Sequence, residues 1–270
     1  MSLLGQHLQT VIVVDNSADT RAHTELLQVI EDLRHTDPGY VIEILTPEKN
    51  LGFSRGVNAA LSHDLRTGKR HDYYLLLNND AIAVPNLVEK LVSAMDQNPQ
   101  SPLVAPSIDN GTNTTQGLLW YHRYLGLISK RHIPCSFPFL TGCCLIFRRD
   151  LVKNGVLFDE TFFMYGEDVQ LSWNVQKSGG KLSCLKDTLV IHHSGGSSRQ
   201  GRLFYEHHVA RGHMILALKT WRLPIEIPLM VITKFTVLLI RAVVRSVRYR
   251  RITPIAALLL TLLPLRIHTP

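Results

Sequence analysis

The residues best placed for chemistry in this chain are polar groups that close apolar runs. Asp15 ends TVIVVD, Asn78, Asn79 and Asp80 follow YYLLL, and His192 with His193 follows TLVI. A carboxylate at a strand terminus, such as Asp80, can hold a hard divalent cation that also contacts a diphosphate, although Asn and Asp also favour turns for their own sake. GED (Gly166 to Asp168) opens a helical pattern. A carboxylate there can be a simple cap stabilised by the helix dipole. Within the crowded run FDETFFMYGED, however, Asp168 could be held rigidly against a substrate hydroxyl as a general base. KNLGFSRGVN (Lys49 to Asn58) carries two glycines at a helix start, so backbone N–H groups there can approach an anion, or simply make a tight turn. The histidine pair offers an imidazole to a metal and a glycine loop to a phosphate, or else a solvated turn. No GxGxxG follows any strand, which argues against a nicotinamide-binding unit.

These groups must be positioned by the elements around them. TVIVVD, YVIEIL (Tyr40 to Leu45) and DYYLLL (Asp72 to Leu77) read as short buried strands. Helical patterns follow each of them: Leu26 to Leu33, Ser54 to Leu65 with Ser54 as N-cap, and Pro85 to Met95. The alternation predicts an α/β fold with a mostly parallel sheet flanked by helices, and in such a sheet ligands bind at the C-terminal ends of the strands. Periodicity fades from Gly111 to Pro138, which reads as a loop-rich excursion. FLTGCCLIF (Phe139 to Phe147) reads as a strand, Gly166 to Gly180 as a helix ended by paired glycines, and Thr188 onward as a strand.

Charge divides the chain more sharply than the total of +7 suggests. Residues 1–198 hold 17 Lys+Arg against 20 Asp+Glu, whereas residues 199–270 hold 12 against 2. Aliphatic runs surround the basic cluster, which favours an anionic membrane surface and not nucleic acid. Ile227 to Ile240 and Ile252 to Leu265 are each 14 residues, short of the roughly 20 that a spanning helix needs. With Arg241, Arg245, Arg248, Arg250 and Arg251 between them, they suit a chain lying in the lipid interface, or the helices of a small core. Four cysteines without a CxxC pair fit neither a disulfide framework nor a zinc site, and MSLLGQHLQT has no signal-peptide pattern. The expected location is therefore the cytoplasmic face of the membrane, peripherally bound.

The ordered run VIVVDNSADT, KNLGFSRGVNAAL, LLLNNDAIAVPNLVEKL, TGCCLIFRRDLV, FDETFFMYGEDVQLSW and VIHHSGGSS resembles the motifs of family 2 inverting glycosyltransferases of the GT-A fold. The closest flavour is that of rhamnosyltransferase-like members. The resemblance implies that Asp15 binds the uracil or thymine nucleoside and that Asn50, Gly52 and Asn58 line the nucleotide pocket, with Asn79 beside them. It implies that Asp80 is the metal carboxylate for Mg²⁺ or Mn²⁺, that His192 assists there, and that Asp168 is the catalytic base. The implied domains are a GT-A-like unit over 1–220 and a basic, apolar, membrane-associating helical tail over 221–270. The implied reaction moves a sugar from a nucleoside diphosphate donor to a hydroxyl of a growing, lipid-linked or polysaccharide acceptor, with inversion.

In three respects the chain departs from that pattern, one being Arg211 followed by Gly212 where the family tends to carry asparagine. Gln170 and Asn174 stand where an acid and an arginine are common. A strand and most of a helix expected before TVIVVD have no counterpart, SLLGQHLQ reading as the end of that helix. The VIVV strand would then keep an exposed edge. The rival reading is a truncated, non-catalytic membrane-bound partner. A nucleotidyltransferase would need a glycine-rich basic loop near its N-terminus, which is absent.

Overall fold

The structure is a computed structural model that describes residues 3–111, 114–115, 117–192 and 202–262. Its first half alternates as the periodicity predicts: β1 (Thr10–Val14), α1 (Thr20–Arg34), β2 (Val41–Leu45), α2 (Gly52–Arg66), β3 (Tyr73–Leu77), β4 (Ala81–Ala83), α3 (Leu87–Gln97) and β5 (Leu103–Asp109). There follow β6 (Thr114–Thr115), β7 (Leu118–His122), β8 (Ile128–Ser129), β9 (Ser136–Leu140), β10 (Cys144–Arg148), α4 (Glu167–Lys177) and β11 (Leu182–His192). Three helices close the described chain: α5 (Leu203–Lys219), α6 (Glu226–Tyr249) and α7 (Thr253–Leu262).

The α/β class with helices over the sheet is as expected, but the sheet is mixed. Its six strands run β3-β10-β5-β11-β4, with β6 beside β5. Only β11 on β5 pairs in parallel within it; β10 lies antiparallel to both β3 and β5, and β4 antiparallel to β11. The reason is that the strand expected over Phe139 to Phe147 breaks at Thr141–Cys143, so that β10 re-enters the sheet reversed between β3 and β5. β1 and β2 pair in parallel as a separate two-stranded sheet. The loop expected over Gly111 to Pro138 is instead largely a third sheet, β8-β7-β9.

Both faces of the large sheet are covered. Leu87, Leu91 and Met95 of α3 pack on Val104, Ile146 and Val190, while Leu145 and Phe147 point the other way onto Leu61, Phe158, Leu171 and Val175. Burying each such side chain contributes about 1.5–3 kcal/mol. The alternation of Leu145, Ile146 and Phe147 between two apolar layers explains why this stretch is a continuous apolar run.

Two local expectations change. Ser54 does not cap α2: it lies inside the helix with a buried hydroxyl, and Asn50 Oδ1 takes the Gly52 N–H at 2.9 Å instead. The two 14-residue apolar segments are not the unit of structure either. α6 continues through the arginines for 24 residues, about 36 Å at 1.5 Å per residue. By length and composition that helix is long enough to cross a membrane. Residues 3–6 form a turn, where the end of a helix was expected.

Candidate active site

The ends of β1, β3 and β11, the start of α2 and the start of α4 meet on one cavity of about 1450 Å³. Asn16, Gly52, Asn78, Asn79, Asp80, Gly142, Glu167, Asp168 and His192 all line it. The strands deliver polar residues here because each apolar run stops at the same edge of the fold.

Asp168 stands in the first turn of α4, half-buried. Oδ1 accepts the Val169 N–H at 2.8 Å and Oδ2 the Gly142 N–H at 3.0 Å. Burial pushes its pKa up, and these two N–H groups only partly offset that. A Cβ at Gly142 would meet that of Asp168 at 3.5 Å, an ordinary van der Waals contact, so the backbone N–H and not the missing side chain is what this position supplies. Glu167 beside it is 6% exposed, and its Oε2 has no hydrogen-bond partner among the described residues. Burial, and then the neighbouring Asp168, raise the pKa of Glu167. Two adjacent carboxyls in this setting favour one negative charge over two.

At the strand end, His192 Nε2 lies 3.1 Å from Asp80 Oδ1. A hard carboxylate with an imidazole on an open cavity fits a divalent cation that completes its shell from a substrate. Among the described residues no group of three or more His, Cys, Asp or Glu side chains could hold a metal alone, so most of the shell would have to come from the ligand. Asn78 Oδ1 is buried beside them, without a hydrogen-bond partner among the described residues. Asn79 is exposed at the cavity, and His193 lies outside the described residues.

Of the residues expected at the nucleotide, Gly52 and Asn79 line the cavity, whereas Asp15, Asn50 and Asn58 do not. Asp15 is tied to the Ser17 N–H and hydroxyl and to His23 Nδ1 at 2.8 Å. Burial pushes its pKa up, but these partners outweigh that and hold it below the ordinary value. Asn58 is 2% exposed, and its amide clamps the segment before Asp168: Oδ1 accepts from the Leu157 and Phe158 N–H groups, while Nδ2 donates to the Phe158 carbonyl and to Glu160. That saturation fits a buttress for the site loop.

Sequence reasoning missed Asn16. Its Nδ2 donates to the Gly52 carbonyl and its Oδ1 accepts the Leu51 N–H, both at 2.8 Å, joining the end of β1 to the start of α2. Its place directly after the strand-ending Asp15 was the available signal. Also missed were Tyr205, on the cavity wall, and Tyr165, whose φ of 67° is unusual for a bulky residue. α5 holds that loop: a Cβ on Gly212 would collide with the Tyr165 carbonyl, and His208 stacks on Phe163 at 4.7 Å. Gly52, at φ +75°, allows the Phe163 carbonyl to reach the Phe53 N–H at 2.7 Å.

The family model described as glycosyl transferase family 2 matches residues 2–156. The N-acetylglucosaminyl-diphospho-decaprenol L-rhamnosyltransferase of Mycobacterium tuberculosis is 23% identical over 226 residues, 73% of this chain and 71% of that protein. The O-antigen biosynthesis protein RfbC of Myxococcus xanthus is 30% identical over 145 residues, 46% of this chain and 11% of that protein. Among solved structures, the mannosyltransferase PcManGT from Pyrobaculum calidifontis in complex with GDP-Man and Mn²⁺ superposes with a TM-score of 0.54 at 13% identity, covering 93% of this chain and 76% of that one. GalNAc-T7 with UDP, GalNAc and Mn²⁺ gives 0.55 at 16% identity, covering 75% and 41%. At such identities the likeness establishes the GT-A fold.

Proposed function

The chain belongs to glycosyl transferase family 2, and from that premise we propose that it transfers a sugar, rhamnose being the first candidate, from a nucleoside diphosphate donor to a hydroxyl of a growing, lipid-linked cell-surface glycan. The observation that carries this reading is the convergence of Asp80, His192 and Asp168 on one cavity.

In the proposed reaction Asp168, ionised and held by the Gly142 and Val169 N–H groups, takes the proton of the acceptor hydroxyl as it attacks. Attack opposite the leaving diphosphate inverts the anomeric carbon. Glu167 stays protonated, because burial and its neighbour disfavour its charge. Asp80 and His192 would hold Mg²⁺ or Mn²⁺, which when bound supplies positive charge against the departing diphosphate. Asn16, Gly52 and Asn79 would line the donor side.

The domain division follows the same reading: residues 1–220 are the catalytic unit and residues 221–270 a tail, helical in α6 and α7, that binds the cytoplasmic face of the membrane peripherally. Along α6, Leu229, Ile232, Leu239, Ile240, Val243 and Val247 stay exposed at helical spacing. The opposite face is anchored: Met230, Leu238 and Ala242 are buried, Lys234 lies 0% exposed with Nζ 5.0 Å from the Tyr121 ring centre, and Arg241 and Arg245 pair with Glu206. A helix fastened along one side and apolar on the other suits a surface-bound tail, with Arg248, Arg250 and Arg251 exposed toward headgroups.

A panel of nucleotide sugars in a thermal-shift assay tests the donor reading. A genuine donor raises the melting temperature with Mn²⁺ or Mg²⁺ and less with a chelator. No shift with any nucleotide sugar, with or without metal, would favour the non-catalytic partner.

A further inference from the structure

The third sheet presents an apolar tip followed by a basic run. From Gly117 to Pro138 the sequence holds Arg123, Lys130 and Arg131 but no Asp or Glu. The β7–β8 hairpin is tightly closed: the His122 N–H donates to the Leu127 carbonyl at 2.8 Å and the Gly126 N–H to the His122 carbonyl at 2.9 Å. Past this turn Leu127 and Ile128 are exposed, and so are Lys130, Arg131 and His132. Neither Leu127 nor Ile128 joins an apolar cluster of the described residues.

The turn is fastened to the joint between α5 and α6. Arg123 is buried; its Nε donates to the Thr220 carbonyl at 3.0 Å, and its guanidinium pairs with Glu226, which also accepts the Tyr124 hydroxyl at 3.1 Å. Thr233 Oγ1 donates to the Tyr124 carbonyl at 2.8 Å. Glu226 and Thr233 stand three residues before and four after the exposed Leu229, so they are its neighbours on the helix surface. The hairpin therefore grips α6 beside its exposed apolar stripe and not behind it. Around the joint Arg222, Leu223 and Ile225 are exposed as well. At its other end α6 is tied to the same unit, Arg245 Nε donating to Glu206 Oε1 at 2.9 Å with its guanidinium 5.7 Å from the centre of the Tyr205 ring on the cavity wall. With both ends held to one folded unit, α6 lies along that unit and does not stand through a bilayer.

Resting on the reading of residues 221–270 as a membrane-binding tail, we propose that the β7–β8 tip is a second membrane contact, supplied by the catalytic unit, and that an anionic bilayer covers both. Leu127 and Ile128 enter the interface beside Leu223, Ile225 and Leu229, while Lys130 and Arg131 meet lipid phosphates. Charge favours a lipid surface of negative sign, since no carboxylate accompanies the cations of this segment. At the far end of α6 Arg248, Arg250 and Arg251 are exposed. The footprint is thus a strip as long as α6, basic at both ends and apolar between. Because Tyr205 lies by the second end, the strip keeps that side of the cavity close to the bilayer, where a lipid-linked acceptor presents its sugar.

Sedimentation of the full chain with vesicles tests this without donor, acceptor or metal, so its outcome is independent of the transfer reaction. With phosphatidylcholine and phosphatidylglycerol in equal parts, Leu127→Glu with Ile128→Glu, and separately Lys130→Glu with Arg131→Glu, should each lower partitioning by at least about tenfold at low salt. On phosphatidylcholine alone the second pair should have little effect, because no surface charge is there to meet the cations. Val29→Glu, at an exposed position of α1, should leave binding at the wild-type level. Hydrogen exchange of the wild type gives a second reading that needs no variant: vesicles should slow it over residues 125–131 and over residues 243–251. Binding that is lost in Val244→Asp with Val247→Asp but retained in both tip variants would overturn the second contact and leave the tail reading standing. So would slowing confined to α6, or a loss in Val29→Glu equal to that of the tip pairs. Failure of the wild type to sediment with either vesicle would overturn both readings.

Discussion

Replacing Asp168 by Asn should separate catalysis from binding. The side chain keeps its shape but cannot accept a proton, and losing a general base costs on the order of 10² to 10⁴ in rate, which is about 3–5 kcal/mol of barrier. A smaller structural cost follows from the local geometry. The two carboxylate oxygens each receive a backbone N–H, from Val169 and from Gly142. An amide has one oxygen, so one of these donors is left facing an NH₂ group, at about 1–3 kcal/mol. In a chain of this size that lowers the melting temperature by several degrees. The assay compares transfer rate with donor-induced thermal shift in the wild type and the variant. Transfer should fall by at least about 100-fold while the donor still raises the melting temperature by a similar increment. The wild-type rate should also rise with pH through a value above that of an ordinary aspartate, because burial raises the Asp168 pKa and only the ionised form is a base. Near-normal turnover of the variant, or loss of donor binding in parallel with turnover, would refute the assignment.

Other expectations follow from the same geometry. Asp80→Asn and His192→Ala should each weaken metal-dependent donor binding by tenfold or more on the order-of-magnitude scale seen for metal-site substitutions, read as loss of the Mn²⁺-dependent thermal shift; an unchanged shift would place the metal elsewhere. Glu167→Gln should gain stability relative to the wild type as pH rises. The folded-state pKa of Glu167 lies above its unfolded value, so its contribution is full at low pH and is lost as pH climbs from the ordinary glutamate value through the raised one; parallel melting-temperature profiles from pH 5 to about 8 would contradict this. The protein should sediment with anionic vesicles, and Val244→Asp with Val247→Asp, at positions 58% and 74% exposed, should release it. High salt should release it only partly, because salt screens arginine attraction but not apolar burial; indifference to lipid would favour a tail that is merely packed helix.

The elements legible in the sequence were those with a clean period. β1 and β3 carry unbroken apolar runs and β2 one interrupted only by Glu43, α2 and α3 carry an apolar face, Asp80 and His192 stand out because they close apolar runs, and Asp168 because it opens the helical pattern of α4. β9 was not legible, because Pro138 interrupts it. As an edge strand paired, among the described residues, with β7 alone it tolerates the proline, while Phe137 and Phe139 turn inward toward Tyr121 and Trp173. α5 was hidden for the opposite reason. Glu206, His207, His208, Ala210, Gly212 and Leu216 are all buried, so the helix has no polar face to set a period. The mixed sheet was illegible because strand direction is decided by turns such as Thr141–Cys143, whereas apolar content looks the same either way. Asn58 is the instructive residue: the family resemblance implies a place in the nucleotide pocket, and partners about a hundred positions away in sequence saturate its amide inside the fold.

The claim that this cavity performs metal-assisted glycosyl transfer is tested most directly by release of nucleoside diphosphate from a nucleotide sugar, measured with and without a membrane-derived lipid-linked acceptor and with Mn²⁺ or a chelator. Release should require both acceptor and metal, be lost in Asp168→Asn and in Asp80→Asn, and yield a product whose anomeric configuration is opposite to the donor's. Release that persists under chelation, that survives both substitutions, or that gives a product of retained configuration would contradict it.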